Sequence, residues 1–177
     1  MNVRELALPG AFLIEVEKKE DERGYFARSY CREEFRDHGL NPDLAQCNIS
    51  YNHKKGTLRG LHYQAAPYEE AKLVRCTRGS IYDVIVDIRP DSPAYCQWVA
   101  VELSAERNNM LYIPEGFAHG FQTLTDGAEV FYQISQMYDA GSARGIRYDD
   151  PAFGVKWHEV GIEVISERDL LFPRFER

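Results

Sequence analysis

A histidine, two arginines and two lysines stand among strand-forming residues in two neighbouring stretches. Residues 55–64 read Lys55-Gly56-Thr57-Leu58-Arg59-Gly60-Leu61-His62-Tyr63-Gln64, and residues 72–75 read Lys72-Leu73-Val74-Arg75. In a half-buried strand side chains alternate between faces, so Leu58, Gly60, His62 and Gln64 share one side. Cations on the inward face of a sheet need partners, because burying an unpaired charge is costly. A bound anionic ligand with a basic catalytic residue beside it meets that need.

The elements that must position these residues are mostly short strands. Residues 11–16 follow a Pro9-Gly10 turn, and residues 25–30 follow the turn at Asp21-Glu22-Arg23-Gly24. Residues 31–39 form the best helix candidate, with Gly39 as its stop and Pro42 soon after. Further strands are expected over 44–50, 57–64, 71–78, 80–89, 96–103, 109–113, 120–125 and 129–135. The tail after Tyr148 is expected to wrap back on the body. Many short strands with regular turns and almost no helix predict an all-β sandwich or barrel.

Composition bounds the chemistry. At 177 residues, with 44% hydrophobic and 28% charged residues, the chain reads as one globular domain. A net charge of −7 argues against a nucleic-acid surface. No apolar run is long enough for a membrane helix, and residues 1–5 lack the apolar core of a signal peptide. Cys31, Cys47, Cys76 and Cys96 are scattered, which fits reduced thiols in a cytoplasmic protein.

Two resemblances sharpen the reading. Residues 113–121, Ile-Pro-Glu-Gly-Phe-Ala-His-Gly-Phe, resemble the second motif of the cupins, whose fold is a double-stranded β-helix, or jelly roll. Metal-binding cupins pair His-x-His with a glutamate and a later histidine. Here the candidates are His62, Gln64, Glu69 or Glu70, and His119, an impoverished set that makes a metal-dependent enzyme the rival reading. A more extensive set of motifs, residues 21–26, 46–50, 58–64, 72–75 and 113–121, then Phe131-Tyr132, Tyr138, 145–151 and 166–169, covers nearly the whole chain. In that order they resemble the dTDP-4-dehydrorhamnose 3,5-epimerases, cupins that work without metal or cofactor.

That family resemblance implies a jelly roll with short peripheral helices. Its core barrel spans about 44–136, and both chain ends pack on it as extensions. It implies epimerisation at C3 and C5 of dTDP-4-dehydro-6-deoxy-D-glucose. Inverting a carbon beside a ketone requires removing a C–H proton and returning one to the opposite face. His62 matches the base, and Asp169 the aspartate that orients it. Lys72 matches the cation that stabilises the enolate, and Tyr132 the returning acid. Arg23, Gln46, Asn48, Arg59, Lys72, His119 and Tyr138 match substrate contacts, guanidinium forks being suited to a diphosphate, and Arg28 and Arg168 are expected substrate contacts at positions where the family carries other residues. A homodimer is implied too.

Strict alternation puts Arg59 on the face opposite His62. A β-bulge at Gly60 would bring both into one cavity; otherwise Arg59 serves a site completed by another subunit. Arg28 and Ala143 stand where many members carry acids, and Arg168 replaces a lysine; the lost acids open the nucleobase and the exact sugar, while inversion of one carbon or of both would use the same residues. The alternatives are a single-carbon epimerase of another nucleotide-linked 4-keto sugar, CDP-linked for example, and a non-catalytic binding cupin. The last would bind ligand without exchanging its protons.

Overall fold

The computed structural model describes residues 1–176. The strands, in chain order, are β1 (Asn2–Glu5), β2 (Phe12–Glu15), β3 (Lys19–Asp21), β4 (Gly24–Phe26), β5 (Gln46–Asn52), β6 (Thr57–Gln64) and β7 (Lys72–Arg78). They continue as β8 (Ser80–Asp87), β9 (Trp98–Ser104), β10 (Asn109–Ile113), β11 (Phe117–Thr123), β12 (Ala128–Ile134), β13 (Ala143–Gly145) and β14 (Val164–Ile165). Two short helices, α1 (Arg32–Asp37) and α2 (Glu167–Leu170), lie outside the strands. The first sheet runs β1-β2-β10-β7-β12-β5 and the second β13-β6-β11-β8-β9, with β14 added in parallel to β6. This is the expected jelly roll.

Burial explains why several strands lack a clean polar–apolar alternation. Ile81 and Ile85 of β8 join Val74, Leu103, Leu111 and Phe121 in the core between the sheets. Val84 and Val86 of the same strand face the other way, against Leu61, Ile146 and Phe153 under the C-terminal segment. The outer face of the first sheet is covered as well: Phe35 of α1 packs with Leu73, Met110 and Tyr112. Sheets covered on both faces favour continuous apolar runs, so β11 is buried at every position.

Three expectations need correction. The strand expected over 25–30 stops at Phe26, because the β3–β4 hairpin is exposed throughout and pairs only with itself. The chain ends supply strands to both sheets rather than only packing on them, β1 and β2 on one side and β13 and β14 on the other. Elements of two to four residues carry no readable period, which is why all but β2 escape the sequence pattern. The strand placed at 120–125 begins at Phe117, so His119 lies within a strand rather than on its turn.

The bulge in β6 is present. His119 faces His62 and Phe121 faces Arg59, so three steps along β6 match two along β11. The extra residue turns Leu61 into the outer core while Arg59 and His62 line the same cavity. Only glycine fits at Gly60, where φ is +129° and a Cβ would come within 2.5 Å of Gly120 Cα. Gly60→Ala is expected to cost about 2–4 kcal/mol and lower the melting temperature by roughly 5–15 °C. A thermal melt checks this; an unchanged midpoint would mean the bulge relaxes freely.

Candidate active site

The two sheets part at one end around a cavity of about 300 Å³. The second sheet contributes Arg59 and His62 from β6 and His119 from β11. The first contributes Gln46, Asn48 and Ser50 from β5, Lys72 from β7 and Tyr132 from β12. Glu70 and Tyr138 come from flanking loops.

His62 Nε2 donates to Asp169 Oδ1 at 2.9 Å. The partner arrives from far along the chain. Parallel pairing of Val164 and Ile165 with Thr57 and Leu58 brings the C-terminal segment alongside β6. There Ser166 caps α2 by accepting the amide N–H of Asp169 at 3.1 Å. The second carboxylate oxygen accepts the Gly60 amide at 3.1 Å, so a backbone donor at the bulge finds its acceptor in the carboxylate that holds the His62 imidazole. Burial pushes the Asp169 carboxyl upward, but the bonds from His62 and Gly60 outweigh it and hold the pKa below the ordinary value. The carboxylate therefore stays ionised at neutral pH, and its stabilising contribution is lost only as pH falls through that lowered value. Phe172 stands edge-on to the imidazole at 5.6 Å, and its ring lies so close to Gly145 that a Cβ there would come within 2.3 Å. The His62 side chain remains 43% exposed, which leaves its other nitrogen open to ligand and water.

Lys72 and Glu70 form an ion pair at 3.0 Å with side chains only 9% and 11% exposed. An ammonium so buried needs such a partner in the absence of ligand. Glu70 enters the sequence reading only as a rival metal ligand, and its pairing with Lys72 depends on how the loop before β7 folds back. His119 Nε2 donates to Asp83 Oδ1, making a second buried histidine–aspartate pair. Asp83 is absent from the sequence reading. Its one signal is a carboxylate among Ile81, Ile85 and other apolar residues of a core strand.

Tyr132 faces His119 edge-on, with ring centroids 6.1 Å apart. Burial and then the Asp83 charge push its phenol well above the ordinary value, against weaker opposing effects from Arg59 and Ser50. The hydroxyl is therefore fully protonated at neutral pH. Arg59 is fixed along one edge, its Nε donating to Asn52 Oδ1 at 2.7 Å. Gln46 Oε1 accepts the Tyr138 amide at 2.9 Å and so ties down the loop at the cavity mouth. Arg168 lies over the Phe172 ring and borders a smaller pocket shared with His62, Ala143 and Arg144.

Arg23 and Arg28 are not brought to this cavity. Arg23 is exposed at the tip of the β3–β4 hairpin and pairs with Asp21. Arg28 bonds Glu34 at 3.0 Å near the amino terminus, which Glu34 also holds. The rival metal set is also spoken for. Gln64 donates to the carbonyls of Tyr68 and Met137 and accepts the Asp139 amide at 2.7 Å, so both ends of its amide clamp loops. Glu70 is held by Lys72 and each histidine by an aspartate. Among the described residues no three His, Cys, Asp or Glu side chains converge as a metal site.

The geometry places a carboxylate-backed imidazole on one sheet and a protonated phenol on the facing sheet, with a buried ammonium beside the phenol. That arrangement suits removing a proton from one face of a carbon and returning one to the other. Comparison with known proteins agrees. Residues 5–177 match the family described as dTDP-4-dehydrorhamnose 3,5-epimerase. The enzyme of that name from Sinorhizobium fredii is 42% identical over 173 residues, covering 98% of this chain and 89% of the relative. The Bacillus anthracis dTDP-4-dehydrorhamnose 3,5-epimerase, solved with TDP and pyrophosphate bound, is 37% identical with a TM-score of 0.94, over 98% of this chain and 99% of that one. ChmJ, a 3'-monoepimerase from Streptomyces bikiniensis solved with dTDP-quinovose, is 34% identical with a TM-score of 0.88, over 96% and 85%. Matched along nearly its full length in both sequence and architecture, the chain belongs to the dTDP-4-dehydrorhamnose 3,5-epimerase family.

Proposed function

We propose that the protein inverts C3 and C5 of dTDP-4-dehydro-6-deoxy-D-glucose, yielding dTDP-4-dehydro-L-rhamnose through an enolate, with no metal or cofactor taking part. The observation that carries this is the placement of the His62–Asp169 pair and Tyr132 on facing sheets around one cavity. His62 takes the proton next to the ketone, and Lys72 stabilises the negative charge that develops on the ketone oxygen. Tyr132 returns a proton from the other side. Arg59 with Gln46 and Asn48 holds the nucleotide diphosphate, His119 the sugar, and Tyr138 and Arg168 the mouth.

Arg23 and Arg28 enter the reaction through a homodimer, in which the hairpin arm of one subunit reaches the partner's cavity. The arm's exposure supports this: Tyr25 is 49% and Phe26 73% exposed, and Tyr25 is met only on one face, by Lys18 at 4.7 Å, among the described residues. Work in the cytoplasm fits the scattered free cysteines and the absence, among the described residues, of a helix long and apolar enough to cross a membrane.

A second reading, inversion of a single carbon, is favoured by the likeness to the 3'-monoepimerase. Proton NMR in D₂O of the dTDP-linked 4-keto sugar, with the CDP-linked analogue alongside, separates the cases. Loss of both the C3 and C5 proton signals is the expected result. Loss of one moves the assignment to a single-carbon epimerase, and exchange only with the CDP sugar moves the nucleobase. No exchange with either overturns the proposed reaction.

A further inference from the structure

If the protein works as proposed, each inversion leaves its proton-transfer groups in the wrong state. His62 has gained a proton from carbon and Tyr132 has lost one to it. Tyr132 must regain a proton and His62 must lose one before the next inversion, by a path through the cavity or by exchange with solvent. When two carbons of one bound sugar are inverted, this happens before the ligand leaves. Proton transfer needs donor and acceptor within hydrogen-bond reach or one bridging hydroxyl.

The second histidine–aspartate pair lies along the path through the cavity. His119 and His62 are direct cross-strand partners in the β11–β6 pairing, and both line the cavity. On its other side His119 meets the Tyr132 ring at 6.1 Å. Behind it, Asp83 is wholly buried and accepts the Nε2 proton of His119. Its second oxygen, Oδ2, is also buried and has no hydrogen-bond partner among the described residues. A buried carboxylate left half-satisfied is expensive, and an imidazolium beside it offsets the cost. The pair is therefore suited to hold a proton that Nδ1 can release toward the cavity.

We propose that the His119–Asp83 pair is a proton relay that reloads Tyr132, with Asp83 as the positioning residue that acts through His119. In the first step the tyrosinate oxygen takes the Nδ1 proton of the His119 imidazolium. An O–H bond forms, an N–H bond breaks, and His119 becomes neutral, its remaining Nε2–H still donated to Asp83. In the second step the proton that His62 took from carbon passes to His119 through a hydroxyl of the bound sugar or through solvent. The three groups regain their starting states with no net proton gained or lost. The neighbourhood favours this direction: burial and the Asp83 charge both disfavour a lasting tyrosinate.

Asp83→Asn keeps the shape of the side chain and removes its charge. Rapid-quench kinetics with substrate in excess of active sites, reading inverted sugar, separates a relay from a structural support. The expected course is a burst of one inversion per active site, at a rate within about threefold of the unmodified protein, because Tyr132 starts loaded. A steady phase at least about tenfold slower than the unmodified protein's should follow. If both carbons are substrates, the burst product is the singly inverted sugar. A single phase slowed uniformly, or a steady rate equal to that of the unmodified protein, overturns the relay. Should Asp83→Asn fail to fold, His119→Gln must show the same one-equivalent burst, whatever its rate, and its absence there is equally fatal. Failure of the parent reading looks different, because the unmodified protein would then exchange no carbon-bound proton.

Discussion

Replacing His62 with alanine is expected to lower exchange of carbon-bound protons with solvent by about two to four orders of magnitude, while leaving nucleotide binding nearly intact. A C–H proton beside a ketone is a weak acid, so the rate depends on a base that is neutral near pH 7 and aimed at the carbon. Imidazole chemistry suits the task, and the geometry aims it, since Asp169 fixes the ring by one nitrogen and its side chain is 43% exposed to the cavity. Little else in the cavity can replace it. His119 is committed to Asp83, and Asp169, 4% exposed, stays anchored by the Gly60 amide behind the deleted ring. Of the groups proposed to hold the nucleotide, Arg59 is held by Asn52 and Gln46 by the Tyr138 amide, contacts that do not involve His62, so the substitution should spare them. Deuterium incorporation by NMR, with calorimetric titration of dTDP, measures the two effects separately. Undiminished exchange in the variant would remove His62 from the role of base.

Tyr132→Phe separates the two halves of the reaction. Removing one hydroxyl from a well-packed ring leaves the shape of the cavity almost unchanged but takes away the acid on the first sheet. His62 on the second sheet can still form the enolate, and its exposure lets it trade the captured proton for a deuteron from solvent. Inversion should therefore fall by about two to four orders of magnitude while deuterium still enters the unreacted substrate on its original face. The observation that decides is the ratio of label in recovered substrate to inverted product. If both decline together, the phenol does not act as the second-face donor.

The residues of this site were more legible in the sequence than the framework that aims them. His62, Lys72 and Tyr132 lie on strands that the sequence predicts, and alternation gave the face of His62. His119 precedes the strand expected from 120 and was reached, like the roles of Lys72 and Tyr132, through the family resemblance. The interruption at Gly60 was also readable, because alternation put Arg59 and His62 on opposite faces unless an extra residue intervened. Asp169 is different. It sits in a four-residue helix held by a two-residue strand, and neither carries a periodic signal. Only the match to a known family pointed to it. Asp83 and Glu70 were missed because each acquires its role from a partner on another strand or loop, and pairing of that kind depends on register, which the sequence does not display. The hairpin bearing Arg23 shows the opposite failing: its motif was clear, and the fold of one chain leaves it facing solvent.

The His62–Asp169 bond joins residues 107 positions apart, and its acceptor lies on the last element of the chain. Synthesis runs from the amino terminus, so every strand from β1 to β13 is made before Asp169 leaves the ribosome. The barrel can close around its cavity while the base still lacks its orienting carboxylate and Gly60 lacks its acceptor. The order of synthesis thus sets the cavity's lining ahead of its pairing: a chain made only as far as β14 carries the lining residues Arg59, His62, Lys72, His119 and Tyr132 but not Asp169.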